Sequence, residues 1–268
     1  MSVLRSARGP ELQPESAYHV TQRGLPHIAI DGTRATITHL RDGIYLPDRS
    51  YELRSITQTV DLAEMTNVHF MLNGGWGAIR GVAHAMVCFE FADSKNVVLS
   101  IEGLLPHDGK YSVQAGLRRT YPLRNLWQSE ADSILSRAYS SNSSIQIAMF
   151  ELVMTQREAV AFFRSAAART NELHENPEWY HVVRNSCSTN IARIVDDAFP
   201  GHRTRSARYL APGYLPELFA RKGLARIDEA DGDVSRLMDR YDVLPLAREI
   251  GAADDFSARL HGRTLHGV

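Results

Sequence analysis

The chain has 268 residues, long enough to bury a sizeable core within one domain. With 44% hydrophobic and 23% charged residues it is too apolar to stay disordered, and its net charge of -1 supplies no overall field to attract nucleic acid or an anionic membrane. Two cysteines, Cys88 and Cys187, do not make a disulfide framework; no C-x-x-C, H-x-H or H-E-x-x-H spacing occurs, so neither a metal nor a cofactor is expected.

Residues 1–20 carry Arg5, Arg8, Gly9, Pro10 and Pro14 with little periodicity and read as a loose N-terminal arm ahead of a single α+β domain over 21–268 with a helical tail. That arm has no apolar run of signal-peptide length, and no later stretch reaches the roughly 18 apolar residues of a membrane span, so a cytoplasmic protein, or a mature form without its leader, is expected. An apolar segment at His27–Ile30 ends in Asp31-Gly32, a hairpin turn signal, and Thr36-Ile37-Thr38 is again β-prone. Residues 50–72 mix apolar and polar positions and run into Asn73-Gly74-Gly75-Trp76-Gly77, which lacks the Lys-Ser/Thr of a phosphate loop and reads as a bend.

Residues 82–91 and 97–105 are the strong strand candidates, rich in Val, Phe, Ile and Leu, with Asp93-Ser94-Lys95 between them. An antiparallel hairpin with Ala92 opposite Asn96 sets His84 against Leu104 and leaves Glu102 diagonal to His84 on the same face. The second half reads as mainly helical. Ser129 to Asp132 and Thr155 to Glu158 look like N-terminal caps, the second opening a helix through Phe162, Phe163 and Ala166 that closes near His174. A further helix is expected from Ser186 to Thr189 through Ile191, Ile194 and Val195, and another along Val234, Leu237, Met238 and Tyr241. Arg203, Arg205 and Arg208 are read as a solvated loop.

Cys187 lies in Asn185-Ser186-Cys187-Ser188-Thr189-Asn190, immediately before an apolar-periodic segment. A thiol at a helix N-terminus meets partial positive charge that favours the nucleophilic thiolate; the plainer reading is a small buried core residue. His84, flanked by Ala83 and Ala85, is the imidazole with room for a partner, although a satisfied core histidine is the ordinary alternative. Glu102 is placed to hold its tautomer, and Asn185 is a second oxyanion donor beside the Cys187 N–H. Cys88, four residues after His84, is expected only to pack.

Short motifs in a fixed order add a resemblance. Val82-Ala83-His84-Ala85-Met86 with Phe89-Glu90-Phe91, Leu99-Ser100-Ile101-Glu102, Tyr111-Ser112, and Arg119 with Tyr121 come first. Glu130, Asp132, Arg137, Pro177-Glu178-Trp179-Tyr180, Asn185 to Ile191, and Leu210 to Tyr214 follow. Together with Ile37 to Asp42 and Arg49 to Tyr51 upstream, they resemble the Lnb N-terminal periplasmic domain family over roughly residues 27–225. Ser186, where that family has asparagine, and Gly103-Leu104 after the glutamate depart from its pattern.

The resemblance implies a circularly permuted papain-like fold, an antiparallel sheet packed on helices with the His84 strand ahead of the Cys187 helix. It implies acyl chemistry through a Cys187 thioester, a lipid, lipoprotein or peptide acyl substrate, and a periplasmic location. A catalytically silent binding module of the same fold, or a cysteine peptidase or amidase, are the alternatives.

Overall fold

The computed structural model describes residues 9–74, 83–141, 144–200, 207–227 and 234–264. In chain order the strands are β1 (His27–Asp31), β2 (Arg34–Arg41), β3 (Ile44–Tyr45), β4 (Tyr51–Glu52), β5 (Ser55–Asp61), β6 (Met65–Gly74), β7 (His84–Phe91), β8 (Val97–Gly103), β9 (Leu123–Ser129) and β10 (Gln146–Glu151). The helices are α1 (Val113–Leu117), α2 (Glu130–Ala138), α3 (Gln156–Glu175), α4 (Cys187–Ala198), α5 (Leu215–Arg221), α6 (Val234–Arg240), α7 (Leu244–Ile250) and α8 (Phe256–Thr264). No described helix is long and apolar enough to cross a membrane.

The fold is α+β, around one eight-stranded sheet in the order β1-β2-β9-β8-β7-β6-β10, with β5 paired to β2. The sheet is mixed rather than purely antiparallel, because β2 meets β9 in parallel at Arg41 and Gln128. The β1–β2 hairpin turns where Asp31-Gly32 predicts it, with Gly32 at φ +58.

Alternation along the strands divides the core into two faces. Ala85, Val87 and Phe89 of β7 and Leu99 and Ile101 of β8 join Trp127, Phe162, Phe163, Ile191 and Ile194 beneath α3 and α4. Met86, Cys88 and Val98 point the other way, against Ile134, Leu135, Leu244, Ala247 and Leu260 of α2, α7 and α8. Phe89 anchors the first face, stacked on Trp127 at 5.8 Å and edge-on to Phe163 at 5.0 Å. Burying one such ring stabilises the fold by about 1.5–3 kcal/mol. On α4, Ile191 and Ile194 are buried and Val195 is half-buried against the same cluster, as the helical spacing predicts.

Several sequence expectations need correction. The β7–β8 register pairs Met86 with Ser100 and Val87 with Leu99, two residues away from the expected one, so its continuation sets His84 opposite Glu102 instead of Leu104. The reason is a longer turn: Asn96 caps the end of β7 with its side chain, accepting from the Phe91 N–H at 2.9 Å, and Ser94 takes the left-handed conformation at φ +60. The parity is unchanged, so Glu102 keeps the face of His84.

Residues 50–72 hold β5 and most of β6, residues 123–129 add β9, and the second half contributes β10 to the sheet. Their mixed or short apolar patterns are buried by tertiary pairing rather than announced by periodicity. The N-terminal arm is not loose throughout: the His19 N–H bonds the Leu105 carbonyl and the His107 N–H bonds that of Ala17, each at 3.0 Å or less. Gly75, Trp76 and Gly77 of the glycine cluster, and Arg203 and Arg205, lie outside the described residues, as does the side chain of Arg208.

Candidate active site

The β7–β8 ladder ends at the pair Met86 and Ser100, and there the strands open. α4 packs against both strands at this end. The Cys187 sulfur, at the first residue of α4, lies close enough to the backbone N–H of Ala85, the residue beside His84, for that N–H to favour its thiolate. The thiol thus meets the backbone of β7 from one face of the sheet, beside the residue whose imidazole belongs to the other face. Among the described residues no hydrogen bond joins the His84 ring to the Cys187 sulfur; Ala85 adjoins both.

His84 is held instead by a relay. Its Nε2 lies 2.7 Å from Ser100 Oγ, and Ser100 Oγ donates to Glu102 Oε1 at 2.7 Å. His84 Nε2 and Glu102 Oε1 are 3.8 Å apart, so the glutamate acts on the ring through the hydroxyl. An ionised carboxylate only accepts, so the Ser100 proton goes to Glu102 and the His84 Nε2 proton goes to Ser100. That fixes the neutral tautomer and leaves the lone pair on Nδ1.

Glu102 is gripped from further sides. Gln22 Nε2 donates to Oε2 at 2.8 Å, while Gln22 Oε1 accepts from the Leu105 N–H at 2.8 Å. Arg137 Nη2 lies 3.9 Å from Oε1. Arg137 is on α2, whose first turn is pinned by Asp132, fully buried and 2.6 Å from Arg41. The glycine that follows Glu102 has a packing cause: a Cβ at Gly103 would meet the Tyr121 Cβ at 2.9 Å.

Electrostatics set the resting state. Burial alone would raise the Glu102 carboxyl, but His84, Arg137, the Ser100 hydroxyl and the Gln22 amide outweigh it and bring it down to about 2. Burial lowers the His84 imidazole to about 4, with Glu102 opposing and Arg137 assisting. Burial also raises the Cys187 thiol, against the backbone N–H groups of Ala85, Ser188 and Cys187 itself, and the nearby Glu102 charge adds to the rise. At neutral pH the site therefore rests as a neutral thiol and a neutral imidazole. The thiolate expected from the helix N-terminus is overridden by burial, Cys187 being only 6% exposed.

Asn185 does not stand ready as an oxyanion donor. Its amide donates to Glu178 Oε2 at 3.0 Å and to the Trp179 carbonyl at 2.9 Å, and its carbonyl accepts from Asn190 Nδ2 at 2.9 Å. It fastens the turn before α4 to a fork in which Arg169, 2% exposed, donates to both Glu178 oxygens at 2.8 Å. Cys88 is buried with its sulfur 3.4 Å from Glu130 Oε1, and burial followed by that carboxylate raises its thiol well above the usual range, as suits a packing residue.

The model of the Lnb N-terminal periplasmic domain family matches residues 52–217, well over half of the chain. The chain belongs to this family. No curated protein and no solved structure matched it. His84, Glu102, Asn185 and Cys187 all fall inside the matched segment of this Lnb N-terminal domain, whereas Gln22 and α6 to α8 fall outside it.

Four contributors to the site were given no role in the sequence reading. Ser100 had a usable signal, since it shares a strand face with Glu102 two residues on. Tyr111 and Tyr180, whose hydroxyls are 3.4 Å apart, border the thiol: burial raises both phenols, and a Cys187 thiolate would raise them further. Gln22 had no local signal at all, being 80 residues from the carboxylate it holds.

Proposed function

We propose that this Lnb N-terminal domain is a thiol-dependent acyltransferase or hydrolase that works through a Cys187 thioester, with a permuted papain-like arrangement in which the histidine strand precedes the cysteine helix. The observation that supports the reading is the action of the Ala85 N–H on the Cys187 thiol, Ala85 being the chain neighbour of His84, whose Nε2 is already committed to Ser100 and Glu102.

Cys187 Sγ attacks an acyl carbonyl as its proton passes to His84 Nδ1, and the carbonyl π pair moves onto oxygen. Glu102, acting through Ser100, stabilises the imidazolium so formed. The oxyanion lies at the start of α4, where the Cys187 N–H is the nearest helix-end donor. Collapse expels an alcohol or amine, which takes the proton from Nδ1. Water or an amine then resolves the thioester by the same steps in reverse. The side chains of His84 and Glu102 keep 17% and 23% exposure, so the general base is open to a substrate from one side.

The acyl group would come from a lipid, a lipoprotein or a peptide, and the family's description supports a periplasmic location over a cytoplasmic one. The raised Cys187 thiol favours the second reading, a binding module of the same fold without turnover.

Intact mass spectrometry after incubation with a phospholipid, a diacylated lipopeptide or peptidoglycan fragments separates them. An acyl adduct on Cys187, absent in Cys187→Ser and at least about a hundredfold slower in His84→Ala, is expected. Binding of the same compounds without any adduct or released product would select the silent module.

A further inference from the structure

A second cluster of chemically capable side chains lies at the other end of β7, away from the thiol. Glu90 is six residues along the strand from His84, about 20 Å at the rise of an extended chain. His69 of the neighbouring β6 brings its Nε2 to 2.8 Å from Glu90 Oε2. His261 of α8 brings its Nδ1 to 3.7 Å from the same oxygen, and the two imidazole centroids are 4.9 Å apart. The three donor atoms all lie within 4.8 Å of one another.

We propose that His69 Nε2, Glu90 Oε2 and His261 Nδ1 form a binding site for one zinc-class divalent transition ion. Two imidazoles and one carboxylate suit such an ion, whereas calcium and magnesium prefer oxygen ligands. Tetrahedral zinc at about 2.1 Å from each ligand needs donor atoms about 3.4 Å apart, and the separations of 2.8 and 3.7 Å straddle that value.

The ring of His261 is also oriented as a metal ligand's would be. Its Nε2 meets Glu130 Oε1 at 2.8 Å, and Glu130 is fully buried and held by Asn96 Nδ2 at 2.9 Å. A carboxylate on the far nitrogen fixes the tautomer and turns the other nitrogen's lone pair to the ion. Asn67 Nδ2, 3.0 Å from Glu90 Oε2, similarly steadies the carboxylate. Binding displaces the proton between His69 Nε2 and Glu90 to His69 Nδ1 or to solvent, a cationic His261 releases its Nδ1 proton to solvent, and water takes the fourth position.

Sequence spacing hides this set, because β6, β7 and α8 each supply one donor, and His261 lies beyond the segment shared with the family. The competing arrangement is a cationic His261 held between Glu90 and Glu130, with no role for a metal.

The test is metal analysis of the full chain after chelation and reloading with zinc chloride, with the thermal transition followed in parallel. One zinc per chain and a transition raised by zinc and lowered by chelator are expected. His261→Gln and Glu90→Gln should each weaken zinc binding by at least about tenfold, the second guarding against misfolding in the first. Cys187→Ser and His84→Ala should keep the zinc. A chain whose stability ignores zinc, or zinc lost in Cys187→Ser and retained in Glu90→Gln, would overturn the proposal.

Discussion

His84 and Glu102 face the same way on adjacent strands yet share no hydrogen bond, Nε2 and Oε1 standing 3.8 Å apart with the Ser100 hydroxyl bridging them. The charge that steadies the ring therefore passes through one hydroxyl. Ser100→Ala should slow acylation of Cys187 by roughly 10- to 100-fold, the worth of one charge-assisted hydrogen bond. Ser100→Thr, which keeps the hydroxyl, should recover part of the loss. Equal rates for Ser100→Ala and the native chain would remove the relay from the mechanism.

The pH profile follows from the same geometry. With His84 at about 4, the base stays free to accept a proton far below the ordinary histidine range, so the acid limb of kcat/KM should lie near 4. The raised Cys187 thiol should alkylate with iodoacetamide at a midpoint above the roughly 8.5 of a free cysteine. Stability carries the opposite sign of benefit. Because His84 is lower in the folded chain than the 6.5 of an open one, the unfolded state binds more protons between those values, and stability falls as the solution is acidified through that window. In His84→Ala this part of the urea-midpoint dependence on pH should vanish. A thiol midpoint well below 8 would show an ion pair in place of the neutral pair.

Arg169 tests how the thiol is positioned without touching it. Its guanidinium binds both oxygens of Glu178 at 2.8 Å, and its Nη2 lies 3.1 Å from Asn190 Oδ1, closing a ring through Asn185 ahead of Cys187. A lysine lacks the planar fork. Arg169→Lys should therefore cost about 1.5–3 kcal/mol in chemical denaturation and also slow Cys187 alkylation at fixed pH. Lost stability with unchanged thiol reactivity would make the fork a purely structural clamp.

Much of the site was legible because its signals are local. The polar run before Ile191 marks a helix start and puts Cys187 there; the period of two along 82–91 and 97–105 keeps His84 and Glu102 on one face even with the register displaced by two residues. The ordered motifs identified the family that matches residues 52–217.

What escaped depends on contacts between distant segments. The helix-end charge that favours a Cys187 thiolate is a sequence signal, whereas the burial that opposes it arises only when α4 seats on β7 and β8. Asn185 looked available until Glu178, Trp179 and Asn190 were seen to use its whole amide. Gln22, and His261 with Glu90 and His69, are joined to their partners by the topology of the sheet and by α8. By itself the sequence marked His84, Glu102 and Cys187 as candidates and the local element on which each stands, since those follow from periodicity and capping. The tertiary structure alone decided their protonation and their partners, because desolvation and long-range hydrogen bonding exist only in the packed chain.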